Sequence, residues 1–494
     1  MAIWEELRRW GRMRDDGERE KETDKQTCSG LAHLPAILAM SVPHFLLLSY
    51  PAQGHITPAR HLALRLLRAT GGIVTVSTSI SAHRRMFPEA GELEHVDSAG
   101  VRYMPYSDGY DDGRKALDDS DYIAHLNLEG PRAVAAVLAR LRDAGRPVTR
   151  VVYTMLLSWV AGVAREYGVP SVLYWIQSAT VLACYFHVLG GTAGATTDLT
   201  AAVHVPGLPA TLLTRDLPSF LLTGTSDDDP FAMVNTAFRE LFFGDHRPTV
   251  LANTFDAMEP EAVASLRQHG LDVLPVGPVL SFLDASPAAT SLSQDNDLFK
   301  QDGKDYLQWL DERPAGSVVY ISFGSTSVMS KRQIAEVDRG MTESGRPFLW
   351  VLRKDNPRGD EEHSHGANAG IVVEWCDQGK VLSHPAVGCF VTHCGWNSTL
   401  ESVSCGVPVV GVPQWSDQGT NAWLMEQLGT GVRAVVIDKD GILDAGELQR
   451  CLGLATSEVV RAKAKMWRDK AREAVLEGGS SDVNLKAAFV APSN

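Results

Sequence analysis

Short apolar runs separated by amphipathic segments form the main pattern of the chain. The run His44–Tyr50 is followed by a turn at 51–55, a helical pattern from about Thr57 to Leu67, and a second apolar run at Gly72–Thr78. A strand, a helix and a strand in this order imply parallel pairing, because parallel strands need a long crossover between them. The first half of the chain is therefore predicted to contain a parallel sheet.

The same alternation recurs further along the chain. In the first half, the helical segment Trp159–Tyr167 lies between predicted strands at Val151–Tyr153 and Ser171–Trp175. In the second half, strands are predicted at Ser317–Phe323, Phe348–Leu352, Ile371–Val373, Cys389–Thr392, Val409–Val412 and Val432–Val436. Strands that alternate with helices predict two doubly wound α/β domains, in which ligands bind at the carboxyl ends of the strands.

Changes of composition divide the chain into five segments. Residues 1–40 balance acidic against basic residues and lack the apolar run of a signal peptide, so we expect a disordered extension, with Met40 a candidate natural start. We predict a first domain at 41–280, a linker rich in Ser, Asp and Ala at 281–304, and a second domain at 305–470. A final helix at 471–494 is expected to pack back on the first domain.

Charge and cysteine usage exclude several classes of partner. The net charge of −14 argues against nucleic acid or an anionic membrane surface as partner, since both favour basic patches. The longest apolar run, Val151–Ala164, is too short to span a bilayer.

Seven scattered cysteines without a secretory leader indicate a reducing, cytoplasmic location, and we expect a monomer. No metal site is predicted, because Cys389, His393 and Cys394 lack a second ligand pair at zinc spacing.

The most specific pattern lies between Trp375 and Gln418. An aromatic residue opens this segment, the polar run His393–Ser398 lies in its middle, Glu401 follows, and the pair Asp417–Gln418 closes it. This order fits a nucleotide sugar: a flat face for a base, donors for a diphosphate, a carboxylate for a ribose diol, and polar groups for sugar hydroxyls.

The segment resembles the 44-residue signature of plant family 1 UDP-dependent glycosyltransferases. The likeness extends over nearly all of the chain after Met40, and the motifs that carry it are Pro51–His55, Asn253–Asp256, Pro275–Pro278, Tyr306–Leu310, Ser322–Ser325 and Gly478–Ser481. The resemblance implies the GT-B fold, two facing Rossmann-like domains with a cleft between them. It also implies metal-independent transfer that inverts the anomeric centre, with the acceptor bound by the first domain and the UDP-sugar by the second.

Residue roles follow from the resemblance, position by position. Trp375 would stack on uracil, and Gln378 would contact the uridine. Glu401 would bind the ribose, four residues and thus about one helical turn after Asn397. Ser325 would donate to a phosphate oxygen, although it could equally cap the helix that follows. The predicted UDP-sugar-binding residues are Ser325, Trp375, Cys376, Gln378, His393, Trp396, Asn397, Ser398, Glu401, Asp417 and Gln418.

Within that set, His393, Asn397 and Ser398 would hold the diphosphate, and Trp396, Asp417 and Gln418 would address the sugar hydroxyls. In the family a terminal glutamine goes with glucose, so Gln418 favours UDP-glucose as co-substrate, with no other cofactor. The acceptor is expected to be a small molecule. The candidate segments for the acceptor pocket are 108–113, 185–187, Phe220 and 241–243, although core packing is the better explanation for most of these residues.

His55 is the candidate general base, since it follows a strand and a glycine in a turn and has a near-neutral intrinsic pKa. The family usually supplies an aspartate to orient this histidine, but Thr154 stands at the matching place. A hydroxyl can hold a tautomer but cannot stabilise an imidazolium as an anion does.

Thr154 therefore leaves two hypotheses for the function. An acceptor that is already acidic, such as a carboxylate or an acidic phenol, needs less from a base. This hypothesis agrees with a likeness to the branch that glucosylates anthocyanins at the 5-hydroxyl, indole-acetate, abscisate and crocetin, carried by Val152–Leu157 and Trp175–Thr180. The alternative is a UDP-sugar-binding protein with low or altered transferase activity.

Overall fold

Two largely parallel sheets carry the structure, a computed structural model of the chain. The structure describes residues 42–88, 94–113, 119–194, 196–223, 230–283, 298–299, 303–357, 370–435 and 441–490. The predicted extension at 1–40, most of the predicted linker at 281–304 and the last four residues lie outside these ranges.

The first sheet belongs to the first half of the chain and has the strand order β10-β9-β6-β5-β1-β2-β4-β3. Its strands are β1 (His44–Leu48), β2 (Ile73–Ser77), β3 (His95–Val96), β4 (Arg102–Tyr103), β5 (Arg150–Thr154), β6 (Ser171–Trp175), β9 (Val250–Ala252) and β10 (Val273–Pro275). All neighbours are parallel except β3 and β4. Strand β1 is buried along its whole length, as a strand covered by helices on both faces should be.

The second sheet is parallel throughout, with the order β13-β12-β11-β14-β15-β16. Its strands are β11 (Val318–Ser322), β12 (Phe348–Val351), β13 (Gly370–Val373), β14 (Val387–Thr392), β15 (Val409–Gly411) and β16 (Gly431–Arg433). A small antiparallel pair, β7 (Ala202–Val203) and β8 (Leu212–Leu213), lies outside both sheets. The predicted strands of the second half therefore exist, with ends shifted by at most three residues.

Helices connect these strands. They are α1 (Gln53–Thr70), α2 (Ile80–Met86), α3 (Asp119–Asp143), α4 (Val160–Glu166), α5 (Ala179–Leu189), α6 (Phe220–Thr223), α7 (Pro230–Phe243), α8 (Pro260–Gln268), α9 (Tyr306–Asp311), α10 (Lys331–Ser344), α11 (Gln378–Ser383), α12 (Trp396–Cys405), α13 (Gln418–Leu428), α14 (Ala445–Ala455), α15 (Glu458–Val475) and α16 (Ser480–Val490). This alternation of parallel strands and helices in two domains confirms the predicted α/β class.

The last helix contacts the first half of the chain. In α16, the ring of Phe489 meets that of Phe45 in β1 edge-on, with 5.2 Å between ring centroids. The amide of Asn484 donates to the carbonyl of Pro275 at 2.8 Å, and the hydroxyl of Ser481 donates to the carbonyl of Gly277. These contacts join α16 to β1 and to the end of β10 in the first sheet.

Helix α1 begins earlier than its sequence pattern predicts. The helix starts at Gln53 rather than near Thr57, so His55 lies in its first turn and not in a turn before it. Pro58 explains the wrong prediction, since a proline inside a helix removes one backbone donor and is normally a helix breaker. Pro58 lies just beyond the first turn, so it removes only the N–H that would have donated to the carbonyl of Gly54.

Candidate active site

A cavity of about 680 Å³ lies at the carboxyl ends of β1, β5 and β6 of the first sheet and of β11 and β14 of the second. Strand ends of this kind are where ligands bind in open α/β sheets. Of the thirteen residues predicted for catalysis and donor binding, all but Thr154 line this cavity. The structure therefore brings together side chains that are separated by up to several hundred residues in sequence.

The candidate base is oriented by a hydroxyl. The Nδ1 atom of His55 lies 3.2 Å from Oγ1 of Thr154, and that oxygen also accepts from the backbone N–H of Tyr50 at 3.2 Å. The other ring nitrogen of His55 makes no hydrogen bond with any residue that the structure describes. Burial lowers the pKa of His55 to about 3, because no neighbouring charge compensates for the loss of solvation. The imidazole is therefore neutral at physiological pH.

The first turn of α1 also reaches across the cavity. Because Pro58 has no N–H, the carbonyl of Gly54 lacks its usual helical partner. The side-chain amide of Asn397, at the start of α12, donates to this carbonyl at 3.0 Å. One predicted diphosphate-binding residue is thus hydrogen-bonded to the residue next to the candidate base.

Three of the predicted UDP-binding residues, Gln378, Ser398 and Glu401, form one hydrogen-bonded network. The amide nitrogen of Gln378 donates to the hydroxyl of Ser398 at 2.8 Å and to a carboxylate oxygen of Glu401 at 2.5 Å. The amide oxygen of Gln378 accepts from the hydroxyl of Tyr320 at 3.0 Å. Gln378 thereby fixes the orientation of Glu401.

Trp375 already has an aromatic neighbour that the sequence did not indicate. The ring of Phe299 stacks on Trp375 with 4.5 Å between centroids and an interplanar angle of 27°. The residue before it, Leu298, donates its N–H to the side chain of Gln53 in α1 at 2.9 Å. One face of the indole is therefore covered by the chain itself.

The predicted diphosphate site is formed around His393 and the start of α12. A Cβ atom at Gly324 or Gly395 would lie 2.6 or 2.5 Å from Nε2 of His393, so both glycines are needed for the imidazole to fit. Burial lowers the pKa of His393 to about 4, which leaves a neutral ring that can donate one hydrogen bond. Free N–H groups at the N-terminus of α12 add donors for an anion.

Ser325 lies in the turn after β11 and lines the cavity. The interpretation of Ser325 as a helix cap was wrong, since α10 begins at Lys331 and is capped by Ser330, whose hydroxyl accepts from the N–H of Gln333 at 3.1 Å. The error arose because the irregular segment between β11 and α10 has no clear pattern in the sequence. The Ser325 hydroxyl is thus not used by the helix.

The predicted sugar-binding residues are held by their own backbone and by the first half. The side-chain oxygen of Gln418 accepts from the N–H groups of Gln414 and Trp415 at 2.8 and 3.2 Å. The indole N–H of Trp396 donates to the carbonyl of Asn253 at 2.7 Å, so this N–H is already used within the protein. Burial raises the pKa of Asp417 to about 6.

Apolar residues of the first half form much of the remaining cavity wall. They include Ile123, Met155, Leu156, Ile176, Phe220 and Val234. Of the segments considered for the acceptor, Phe220 alone lines this cavity, and the described parts of the others do not. Tyr185 and His187 are fully buried in the core instead. In the sequence, residues that follow strand ends indicate this cavity wall better than clusters of aromatic residues do.

Gln177 was also missed by the sequence analysis. It lies between the end of β6 and the start of α5, lines the cavity, and is 9% exposed. Its side-chain oxygen is buried without a hydrogen-bond partner among the described residues. Its place directly after a strand's carboxyl end is the signal that could have found it.

Sequence comparisons agree with this geometry. Residues 292–445 match the family described as UDP-glucoronosyl and UDP-glucosyl transferase. The chain is 44% identical over 477 residues to phloretin 4'-O-glucosyltransferase of Malus domestica, covering 90% of this chain and 96% of that protein. It is also 44% identical over 471 residues to the chloroplastic crocetin glucosyltransferase of Gardenia jasminoides, with the same coverage of 90% and 96%.

A solved structure shows the same fold. The crystal structure of Os79 from O. sativa in complex with UDP superposes with a TM-score of 0.79 at 32% identity, covering 90% of this chain and 99% of that chain. The GT-B prediction is thereby confirmed, as is the branch of the family to which the sequence was assigned.

Two further observations concern membranes and metals. In the part of the chain that the structure describes, no helix combines the length and apolar character needed to cross a bilayer. The same residues contain no group of three or more His, Cys, Asp or Glu side chains that could hold a metal ion. The cytoplasmic location and the monomeric state stay predictions.

The relatives, the fold and the cavity lead to one conclusion: the chain belongs to the plant family 1 UDP-dependent glycosyltransferases and is an enzyme of that family.

Proposed function

We propose that the enzyme transfers glucose from UDP-glucose to an acceptor oxygen that is already acidic, either a carboxylate or an acidic phenol of a small plant hormone or secondary metabolite. The observation that supports this proposal is the pairing of His55 with the hydroxyl of Thr154 at 3.2 Å. No carboxylate among the described residues is hydrogen-bonded to the imidazole.

The weakness of His55 as a base follows from this pairing. A base with a pKa of about 3 removes a proton from an alcohol poorly, since efficient general-base catalysis needs a pKa near the working pH. A carboxylic acid has lost its proton near pH 7 without help, and an acidic phenol has done so in part. His55 would then serve mainly to orient the acceptor oxygen, with Thr154 as its possible partner.

In the proposed reaction the acceptor oxygen attacks C1 of the glucose and forms the new C–O bond as the bond from C1 to the diphosphate oxygen breaks. UDP leaves with the bonding electron pair, and the anomeric configuration inverts. Any proton on the acceptor passes to the free nitrogen of His55. The N–H of His393, the Ser325 hydroxyl and the N-terminus of α12 would stabilise the charge that develops on the diphosphate.

Donor recognition is proposed along the same cavity. Trp375 would stack on uracil, beside Cys376, and Gln378 would hold Glu401 towards the ribose. Asn397 and Ser398 would contact the diphosphate, which requires Asn397 to release the carbonyl of Gly54 or to use its second N–H. Asp417, Gln418 and the backbone of Trp396 would bind the sugar hydroxyls, and Gln418 favours glucose.

The test compares His55→Ala with the wild type on two acceptors of similar shape, one a carboxylate and one an alcohol. General-base catalysis contributes roughly 10²–10⁴-fold, so we expect a loss of that size for whatever alcohol activity exists. For the carboxylate we expect a loss of about tenfold or less, because only orientation is removed. Equal losses in kcat/KM on the two acceptors would contradict the proposal. Release of glucose from UDP-glucose with every acceptor inactive would instead support a UDP-sugar-binding protein of low transferase activity.

Thr154→Asp provides the converse test, with Thr154→Val as a control of the same shape. An aspartate would place a negative charge next to Nδ1 of His55 and raise the pKa of the imidazole. We expect kcat/KM to rise about tenfold for the alcohol in Thr154→Asp, and to fall or stay constant for the carboxylate, which the new charge repels. An equal rise for both acceptors would argue against an acidic acceptor.

A further inference from the structure

The segment that carries Asp417 is held from the opposite half of the molecule. The hydroxyl of Ser178, which follows β6 in the first half, donates to the side-chain oxygen of Asn421 at 3.0 Å. The amide nitrogen of Asn421 donates to a carboxylate oxygen of Asp417 at 2.8 Å and to the carbonyl of Cys394 at 3.0 Å. Ser178 and Asn421 are both fully buried, so water does not compete for these bonds.

The available donors determine the direction of each hydrogen bond in the series from Ser178 through Asn421 to Asp417. The oxygen of Ser178 accepts from the N–H of Val181 at 3.2 Å as the cap of α5, so its hydrogen is free for Asn421. Both N–H groups of Asn421 then point to acceptors, and its oxygen points to the one hydroxyl. If Ser178 were absent, a flipped Asn421 would turn its oxygen towards the carboxylate of Asp417, and an unflipped one would leave that oxygen unpaired.

A second set of contacts holds the residue before Asp417. Ser416 has a φ of +61°, a left-handed conformation that is unfavourable for a residue with a side chain. Its carbonyl accepts from the N–H of Ser219 at 2.9 Å, and its own N–H donates to the Ser219 hydroxyl at 2.7 Å. Both backbone groups of this strained residue are thus paired with a single residue of the first half.

A largely buried ion pair also connects the first half to the second near the segment 416–421. The guanidinium of Arg433, in β16, pairs with the carboxylate of Asp216 in the first half. The backbone carbonyl of Asp216 also accepts from the hydroxyl of Thr420 at 2.6 Å. Gly419 lies so close that a Cβ atom there would be 3.1 Å from the carbonyl oxygen of Arg215. Residues of the first half therefore form hydrogen bonds with the segment 416–421 at Ser416, Thr420 and Asn421.

We propose that Ser178 and Asn421 are positioning residues for the donor sugar, which act by holding the carboxylate of Asp417 in its binding orientation. Sugar affinity is then set partly by the half of the molecule that provides the acceptor pocket. This inference rests on the proposed role of Asp417 at the sugar. It concerns residues that contact neither the sugar nor the acceptor.

The test uses Ser178→Ala with Ser79→Ala as its matched control. Ser79 is also fully buried and also caps a helix, with its hydroxyl accepting from the N–H of Ala82 at 3.3 Å, but its hydrogen-bond partners among the described residues all lie in the first half. Both variants lose a cap and so lose similar stability, which thermal unfolding measures. Only Ser178→Ala loses the bond to Asn421.

Equilibrium binding of UDP-glucose and of UDP is measured for each variant by calorimetry. For Ser178→Ala we expect the Kd of UDP-glucose to rise about tenfold, the effect of one unpaired buried polar group, while the Kd of UDP changes less than about twofold. Ser79→Ala should leave both constants unchanged, and Ser178→Thr should recover most of the UDP-glucose affinity. An equal rise for both ligands, or no rise for either, would overturn the proposal.

Asp417→Asn separates this inference from the role on which it rests. If the variant binds UDP-glucose and UDP with the wild-type ratio of affinities, Asp417 does not bind the sugar, and both the proposed site and this inference fail. If Asp417→Asn changes that ratio and Ser178→Ala does not, the sugar site stands and the positioning role alone fails.

Discussion

The donor side and the acceptor side of the cavity are built in different ways. On the predicted donor side, polar side chains come mostly from one continuous segment, 375–418, and some are hydrogen-bonded to one another, as Gln378 is to Ser398 and Glu401. On the predicted acceptor side, apolar side chains from five separate stretches of the first half line the cavity together with Gln177, whose side-chain oxygen has no hydrogen-bond partner among the described residues. We therefore expect the donor side to be the more preorganised of the two, because hydrogen bonds orient its side chains whereas the other wall is mainly apolar.

This difference indicates how each side tolerates change. Hydrogen bonds have a required distance and angle, so a polar site loses function when one atom is displaced. Apolar contacts are non-directional and scale with area, so a pocket wall can change shape with modest cost. We therefore expect substitutions on the donor side to affect every substrate, and those on the acceptor side to alter selectivity.

The largest effect is expected for Gly395→Ala on the donor side. The backbone at Gly395 has φ −59° and ψ 143°, which an alanine adopts without strain, but its Cβ would lie 2.5 Å from Nε2 of His393. Displacement of the imidazole by about 1 Å should lower kcat/KM roughly 100-fold for every acceptor. Gly453→Ala, on an open face of α14, is the control and should keep full activity. Retention of more than about a third of the activity by Gly395→Ala would contradict preorganisation around His393.

An intermediate effect is expected for Gln177→Leu on the acceptor side. The substitution keeps the side chain's approximate size and removes its amide, so acceptors with a hydrogen-bonding group that meets this amide should lose about tenfold in kcat/KM. Matched acceptors without that group should be unaffected or improved, and the Kd of UDP should stay constant. The measurement is a panel of acceptor pairs that differ by one hydroxyl. Uniform losses across all pairs would mean that Gln177 supports the fold and does not select the acceptor.

The smallest effect concerns pH. Because burial lowers the pKa of His55 to about 3 and that of His393 to about 4, neither ring should titrate between pH 5 and 8. Burial raises the pKa of Asp417 to about 6, so its carboxylate becomes protonated as pH falls through 6. We expect the Kd of UDP-glucose, whose diphosphate diester stays ionised over this range, to rise a few-fold between pH 7 and 5. An equal rise in Asp417→Asn, which has no carboxyl to titrate, would indicate that another group such as His393 titrates in this range.

The same pKa shifts act on stability with opposite signs. In the unfolded chain, histidines become protonated near pH 6.5, whereas in the folded protein His55 and His393 stay neutral until the pH falls to about 3 and 4. Their contribution to the free energy of unfolding is therefore lost as pH falls below about 6.5. Asp417 does the reverse, since its folded pKa lies above the unfolded value; its contribution is present at low pH and is lost as pH rises through 6. The two histidines outweigh one carboxyl, so Tm should fall on acidification from pH 7 to 5. A Tm that rises over this range would contradict the two lowered pKa values.

Prediction from sequence succeeded where a site is local in the chain. The spacing between Trp375 and Gln418 was sufficient to name the residues that line the donor side, because the strand-end turns at β14 and β15 bring neighbours in sequence to one edge of the sheet. It also identified Thr154 as the neighbour of His55. It was less successful at helix starts, as at Gln53 and Lys331, where a proline and an irregular turn hide the boundary.

The sequence by itself determined the fold class and the family, and it named predicted donor residues that line the cavity, because alternating strands and helices and one continuous motif encode them locally. Only the tertiary structure decided which apolar residues of the first half line the cavity, that Gln177 lies among them, and that Ser178 of the first half reaches Asn421 of the second. These contacts join residues from different strands and from both halves of the chain. Their distances depend on how two sheets pack, a property of the whole chain that no local pattern of residues encodes.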